Sequence, residues 1–122
     1  MISWLRLKKS FVYAYRGLSR VYREEQNFRL EIAVGVLVMV IALILGLSAV
    51  EMSILALTIG FVLLMEIVNS LMELMSDLLK PKLNVYVHAI KDIGAAAVLL
   101  ASTVAVLVGL LIFGRHLFLI SQ

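Results

Sequence analysis

The sequence predicts an all-α integral membrane protein, with three transmembrane helices behind an amphipathic helix that lies on the membrane surface. Composition is the first reason. In 122 residues, 63% of the side chains are hydrophobic and 16% are charged, more apolar surface than one soluble domain of this size could bury. Three stretches also reach spanning length: Ile32 to Val50 and Ile93 to Gly114 carry no charge, and Met52 to Leu79 is apolar apart from one polar run. The third observation is the distribution of basic residues. Arg6, Lys8, Lys9, Arg16, Arg20, Arg23 and Arg29 precede the first span and Lys80, Lys82 and Lys91 lie between the second and third, whereas the short turn around Ser48 has none. By the positive-inside rule the N-terminus and the second loop are cytoplasmic, and the C-terminus faces out.

The expected organisation is a single domain over 1–122, with an interfacial helix in 1–28 and spans at 30–50, 52–79 and 91–114. A charged leader of about thirty residues precedes the first span, so a cleaved signal peptide is not expected. In the leader, Trp4, Leu7, Phe11, Tyr15, Leu18 and Tyr22 recur every three or four residues, a helical stripe about 80° wide. Arg6, Lys9, Arg16, Arg20 and Arg23 fall opposite, with Tyr13 among them. Such a helix seats its aromatic face among acyl chains and turns its cations to headgroups or to a soluble anion. Pro81, in "KPKLN", ends the second span. In the third span, Ala97, Ala101, Ala105 and Gly109 repeat every four residues, a thin strip that lets another helix approach closely and suggests a tight bundle or an oligomer.

The polar run is "MEIVNSLMELMSD", residues 65–77. With Glu66 at 0° on a helical wheel, Asn69 lies at about −60°, Glu73 at about −20°, Asp77 at about +20° and Ser70 at about +40°. All five share one face, opposite Leu64, Ile67, Val68, Leu71 and Leu74. If Met52 marks the outer edge of a hydrocarbon layer about 30 Å thick, roughly twenty residues reach the inner edge near Leu71. Glu66 then sits inside the bilayer, Asn69 near its boundary, and Glu73 and Asp77 in the cytoplasmic headgroup zone. An ionisable residue at the depth of Glu66 costs about 2.5 to 3.5 kcal/mol on insertion scales, a cost that simple anchoring does not explain. Burial also favours the neutral carboxyl, so Glu66 is placed to take a proton from a lipid hydroxyl. Glu73 and Asp77, better solvated, suit a hard divalent cation.

Two further segments reach the same plane: Glu24 and Glu25 at the end of the leader helix, and Lys91 with Asp92 at the start of the third span. Carboxylates for Mg²⁺ beside cations for phosphate oxygens are the ingredients of a polyphosphate site. No G-x-x-x-x-G-K-[ST] loop and no protein-kinase signature occurs, so a nucleotide would bind in an unusual site. With no cysteine, thiolate chemistry and disulfides are excluded. His88 and His116 stand too far apart to suggest a metal pair, and no nucleic-acid partner is expected. An ion-coupled carrier or channel lined by Glu66 and Asn69, and a non-enzymatic scaffold, are the rival readings.

In "KSFVYAYRGL", "EEQNFR", "EIVNSLMELMSD" and "KDIGAAAV", in that order, the chain resembles the small prokaryotic diacylglycerol kinase family, which includes the undecaprenol kinases of Gram-positive bacteria. The resemblance implies a homotrimer in the bacterial cytoplasmic (inner) membrane that transfers the γ-phosphoryl group of ATP, with Mg²⁺, to diacylglycerol or undecaprenol. Carried over residue by residue, it makes Glu66 the general base and Glu25 and Glu73 the metal ligands that also meet the nucleotide. Arg6, Tyr13, Lys91 and Asp92 would contact ATP, and Asn69 and Asp77 would support the site. Some positions depart from the pattern: Leu71 and Ile90 stand where alanine is usual, and "KPKLN" matches weakly, so nucleotide contacts from Lys82, Leu83 or Asn84 are not carried over. Glu31 stands where the undecaprenol-kinase branch often has histidine, which leaves the acceptor lipid open.

Overall fold

The structure is a computed structural model and describes residues 1–82 and 84–122; any nucleotide contact from Leu83 lies outside the described residues. Four helices follow one another: α1 (Trp4–Glu24), α2 (Gln26–Ile44), α3 (Ala49–Leu79) and α4 (Asn84–Ile120). The last three are long and apolar enough to cross a membrane, so the chain is an all-α membrane protein.

Helix α1 buries no residue and keeps Trp4, Phe11, Tyr15 and Tyr22 exposed, as a face seated among acyl chains requires. One residue separates it from α2. Glu25 is extended (φ −102°, ψ 113°) and its N–H still donates to the Val21 carbonyl at 2.8 Å. Arg29, one turn into α2, reaches back and donates from Nη1 to the carbonyls of Tyr22 at 2.8 Å and Arg23 at 2.9 Å. Those carbonyls belong to the last turn of α1, where no intrahelical partner is available. The corner that presents Glu25 is therefore pinned by the guanidinium.

At the opposite end, α2 closes in a Schellman motif. Gly46 takes the left-handed conformation (φ 68°) that a residue with a Cβ would resist. Its N–H donates to Leu43 O and that of Leu47 to Ala42 O, both at 3.1 Å. Ser48 then opens α3 with a capping box: Glu51 N–H donates to Ser48 Oγ at 3.2 Å, and Ser48 N–H to Glu51 Oε2 at 2.9 Å. His116 Nε2 lies 3.2 Å from the same carboxylate, tying the end of α4 to the start of α3. Ala42, Leu47 and Leu55 form the buried cluster here, packed by Val108, Ile112 and Phe113 of α4.

Helix α3 has 31 residues, a length of about 46 Å that exceeds a hydrocarbon layer of about 30 Å and carries its last turns out of the apolar zone. Helix α4 begins at Asn84, well before Lys91, because nothing between Pro81 and Lys91 breaks a helix. The α3–α4 seam is the most extensive among the described residues. Ser76 of α3 and Val87, Gly94 and Ala101 of α4 are buried, so small side chains set the approach.

Candidate active site

Glu66 sits on the inward face of α3 and is only 2% exposed. Asn27, in the first turn of α2, lies near its carboxyl, and Glu25 and Glu73 are within electrostatic reach. Arg20–Glu24, Lys80–Asp77, Lys91–Asp77 and His116–Glu51 are the ion pairs among the described residues, and none includes Glu66. A carboxylate buried without a cation costs several kcal/mol, and here two further acids surround it. The sharp α1–α2 corner brings Glu25 there. The helical repeat of α3 brings Glu73, two turns nearer the C-terminal end of that helix.

Asn69 links the acids to α4. Its Nδ2 donates to Glu73 Oε1 at 3.2 Å, while its Oδ1 is enclosed and has no hydrogen-bond partner. Gly94 stands directly opposite: a Cβ on Gly94 would fall against that oxygen, well inside contact distance. Ser70, on the same face, donates to the Glu66 carbonyl at 3.0 Å and so is spent on its own helix. Further out, Lys91 Nζ donates to Asp77 Oδ1 at 3.1 Å and Lys80 Nζ approaches the same atom at 3.7 Å. The Lys91 side chain is 34% exposed, leaving donors for a second anion.

Glu25, Glu66, Asn69, Glu73, Asp77 and Lys91, read from sequence as one site, are thus linked by successive contacts, from the buried Glu66 past Glu25 and Glu73 to Lys91 and Asp77. Asp92 is exposed beside Lys91. Arg6 and Tyr13 remain on the exposed face of α1, and the Arg16 guanidinium, 6.0 Å from the Tyr13 ring centroid, is that ring's neighbour. Asn27 and Gly94 escaped the sequence reading. A glycine beside "KD" at the start of an apolar helix is the signal that could have marked Gly94; Asn27, in a polar leader, carries none.

Among the described residues no three acidic or histidine groups close into a metal cage. The donors nevertheless suit Mg²⁺, which binds through one or two carboxylates and completes its shell with water and phosphate oxygens. Glu25 and Glu73 flank Glu66, and the unpartnered Asn69 oxygen is beside them.

Residues 12–113 match the family described as prokaryotic diacylglycerol kinase. The chain is 35% identical over 108 residues to an undecaprenol kinase of Bacillus subtilis, covering 88% of each chain. It is 38% identical over 101 residues to a diacylglycerol kinase of Synechocystis, covering 82% of this chain and 58% of that one. With a diacylglycerol kinase of Escherichia coli it shares 32% identity over 111 residues, 91% of each. The match runs from within α1 to within α4 and takes in every acid from Glu24 to Asp92, and the chain belongs to the prokaryotic diacylglycerol kinase family of membrane lipid kinases.

Proposed function

We propose that the protein transfers the γ-phosphoryl group of ATP to the hydroxyl of a membrane lipid, diacylglycerol or undecaprenol, at the cytoplasmic boundary of the bacterial inner membrane. The observation that carries this is Glu66, 2% exposed and without a cation partner among the described residues; the span lengths read from the sequence put it near the depth of a lipid hydroxyl. Glu66 accepts the hydroxyl proton. The alcohol oxygen bonds to the γ-phosphorus as the bond from that phosphorus to the β–γ bridging oxygen breaks, and ADP leaves with the bridging oxygen. Phosphoryl transfer needs chiefly in-line positioning and charge neutralisation. The bilayer edge fixes the height of the acceptor.

Mg²⁺, held by Glu25 and Glu73, would supply charge neutralisation on the phosphate oxygens. Asn69 holds Glu73 in place through its 3.2 Å hydrogen bond. Asp77 keeps Lys91 aimed along the cytoplasmic end of the row, where Lys91 meets phosphate and Asp92 the rest of the nucleotide. Arg6 and Tyr13 would join from α1. Their exposure in the single chain fits a site completed by a neighbouring subunit of a homotrimer, with the N-terminus in the cytoplasm. The carrier and scaffold readings leave Lys91, Asp92 and the corner at Glu25 without a role.

The test is transfer of label from γ-radiolabelled ATP to diacylglycerol and to undecaprenol in mixed micelles, with and without Mg²⁺. Labelled phospholipid or prenyl phosphate is the expected product. Cation flux into liposomes without ATP and no labelled lipid would favour the carrier instead.

A further inference from the structure

One histidine is left without a role by that mechanism. His88 precedes Lys91 by three residues and Asp92 by four, and all three belong to one rigid element because α4 begins upstream of them, at Asn84. Residues three and four apart on a helix are neighbours on its surface. With Lys91 at 0°, His88 lies at about +60° and Asp92 at about +100°, whereas Val87 and Gly94 lie at about −40° and −60°. Val87 and Gly94 are buried, and His88 and Asp92 are exposed. Lys91, His88 and Asp92 therefore share the flank of α4 that turns out of the α3 seam.

The charged groups around that flank come from two helices. From α3, Asp77 accepts from Lys91 at 3.1 Å, Lys80 approaches the same carboxylate at 3.7 Å, and Glu73 is within electrostatic reach of Lys91; from α4 come Lys91 and Asp92. No ion pair among the described residues includes His88, so its ring is open to a ligand. Gly94 faces Asn69 and Lys91 faces Asp77. The two helices are thus antiparallel, and His88 lies about 4.5 Å further along α4 from Glu66 than Lys91 does. Helical side chains lean toward the N-terminus of their helix, so the Lys91 stem runs toward the turn that carries His88. A polyphosphate that reaches from Glu66 past Lys91 leads on to His88, with its adenosine end outermost.

We infer that His88 is a further nucleotide-binding residue whose protonated imidazole donates to a phosphate oxygen of ATP on the adenosine side of the one that Lys91 holds, so that affinity for the nucleotide rises as the cytoplasmic side acidifies. The inference rests on the lipid-kinase reading above. Histidine is the side chain that changes charge between about pH 5 and 8. The sign follows: the imidazolium attracts the polyphosphate at the acidic end of that range, and the attraction is lost as pH rises through it. A charge-assisted bond to phosphate is stronger than one from the neutral ring.

The experiment measures kcat and the KM for Mg-ATP of the full-length protein in mixed micelles, by label transfer from γ-radiolabelled ATP to diacylglycerol and to undecaprenol, at about pH 6 and about pH 8. His88→Gln should raise KM about threefold or more at the lower pH and by much less at the higher, with the change in KM exceeding any change in kcat. His88→Arg, which carries a cation at both, should hold KM near the low-pH value of the wild type throughout. A ratio of His88→Gln to wild-type KM that is the same at both pH values overturns the inference. So does a His88→Arg protein as weak as His88→Gln at the lower pH; both results leave the kinase reading standing. A wild type that labels neither lipid at either pH overturns the kinase reading itself.

Discussion

Gly94→Ala probes the seam between α3 and α4 with a single methyl group. Its Cβ would press on Asn69 Oδ1, inside contact distance, and would lie 3.4 Å from Asn69 Cγ. The side chain of Asn69 can swing away, but only by releasing its 3.2 Å bond to Glu73. If Asn69 stays, overpacking costs about 1–3 kcal/mol; if it swings, a bond to a charged group worth about 1.5–3 kcal/mol is lost. Alanine returns about 1 kcal/mol of helix propensity, so the net stability change is about 0–2 kcal/mol. Function should suffer more. On the proposed mechanism a loosened Glu73 would misplace the phosphate by a fraction of an ångström to an ångström, and shifts of that size lower turnover by up to about a hundredfold. The assay is kcat and the KM for Mg-ATP, with thermal unfolding in detergent alongside. Gly60→Ala is the control, since a Cβ there meets nothing within 4 Å, and it should leave turnover unchanged. Equal turnover in both variants would refute the role given to the Gly94–Asn69 contact.

Asp77→Asn should leave the unfolding midpoint almost unmoved, because the Asp77–Lys91 pair is largely exposed, yet raise the KM for Mg-ATP several-fold by freeing Lys91; a lowered midpoint with an unchanged KM would reverse that assignment. Arg29→Ala removes both bonds that pin the corner at Glu25. Amide hydrogen exchange in the last turn of α1 should accelerate, and Mg²⁺ dependence should shift to higher concentration. Ser48→Ala, at the end of the bundle remote from Glu66, deletes the N-cap of α3 and should cost about 1 kcal/mol in detergent unfolding with turnover per folded molecule unaffected.

Much of this architecture is legible in the chain because membrane solvent imposes long-range patterns. A span must be apolar for about twenty residues, so α2, α3 and α4 announce themselves by length. The acids of α3 stand out because the helical repeat puts Glu66, Glu73 and Asp77 on one face. Contacts between helices leave no such period. Arg29 reads as one more positive-inside charge, whereas in the fold its guanidinium caps α1. Gly94 falls outside the small-residue strip read from the sequence, and its place is set by Asn69 across the seam. The strip itself divides: Ala101 is buried against the bundle, while Ala105 and Gly109 line an open groove between α2, α3 and α4. Alanine spacing alone cannot tell a helix partner from a lipid partner.

The most direct measurement is label transfer from γ-radiolabelled ATP to lipid by Glu66→Gln, a substitution that keeps shape and hydrogen bonding but cannot take up the hydroxyl proton. Turnover should fall by about a hundredfold or more, with the unfolding midpoint and the assembled size equal to those of the wild type. Turnover within a few-fold of wild type would mean that the proton leaves the lipid by another route and that the buried carboxyl is not the base.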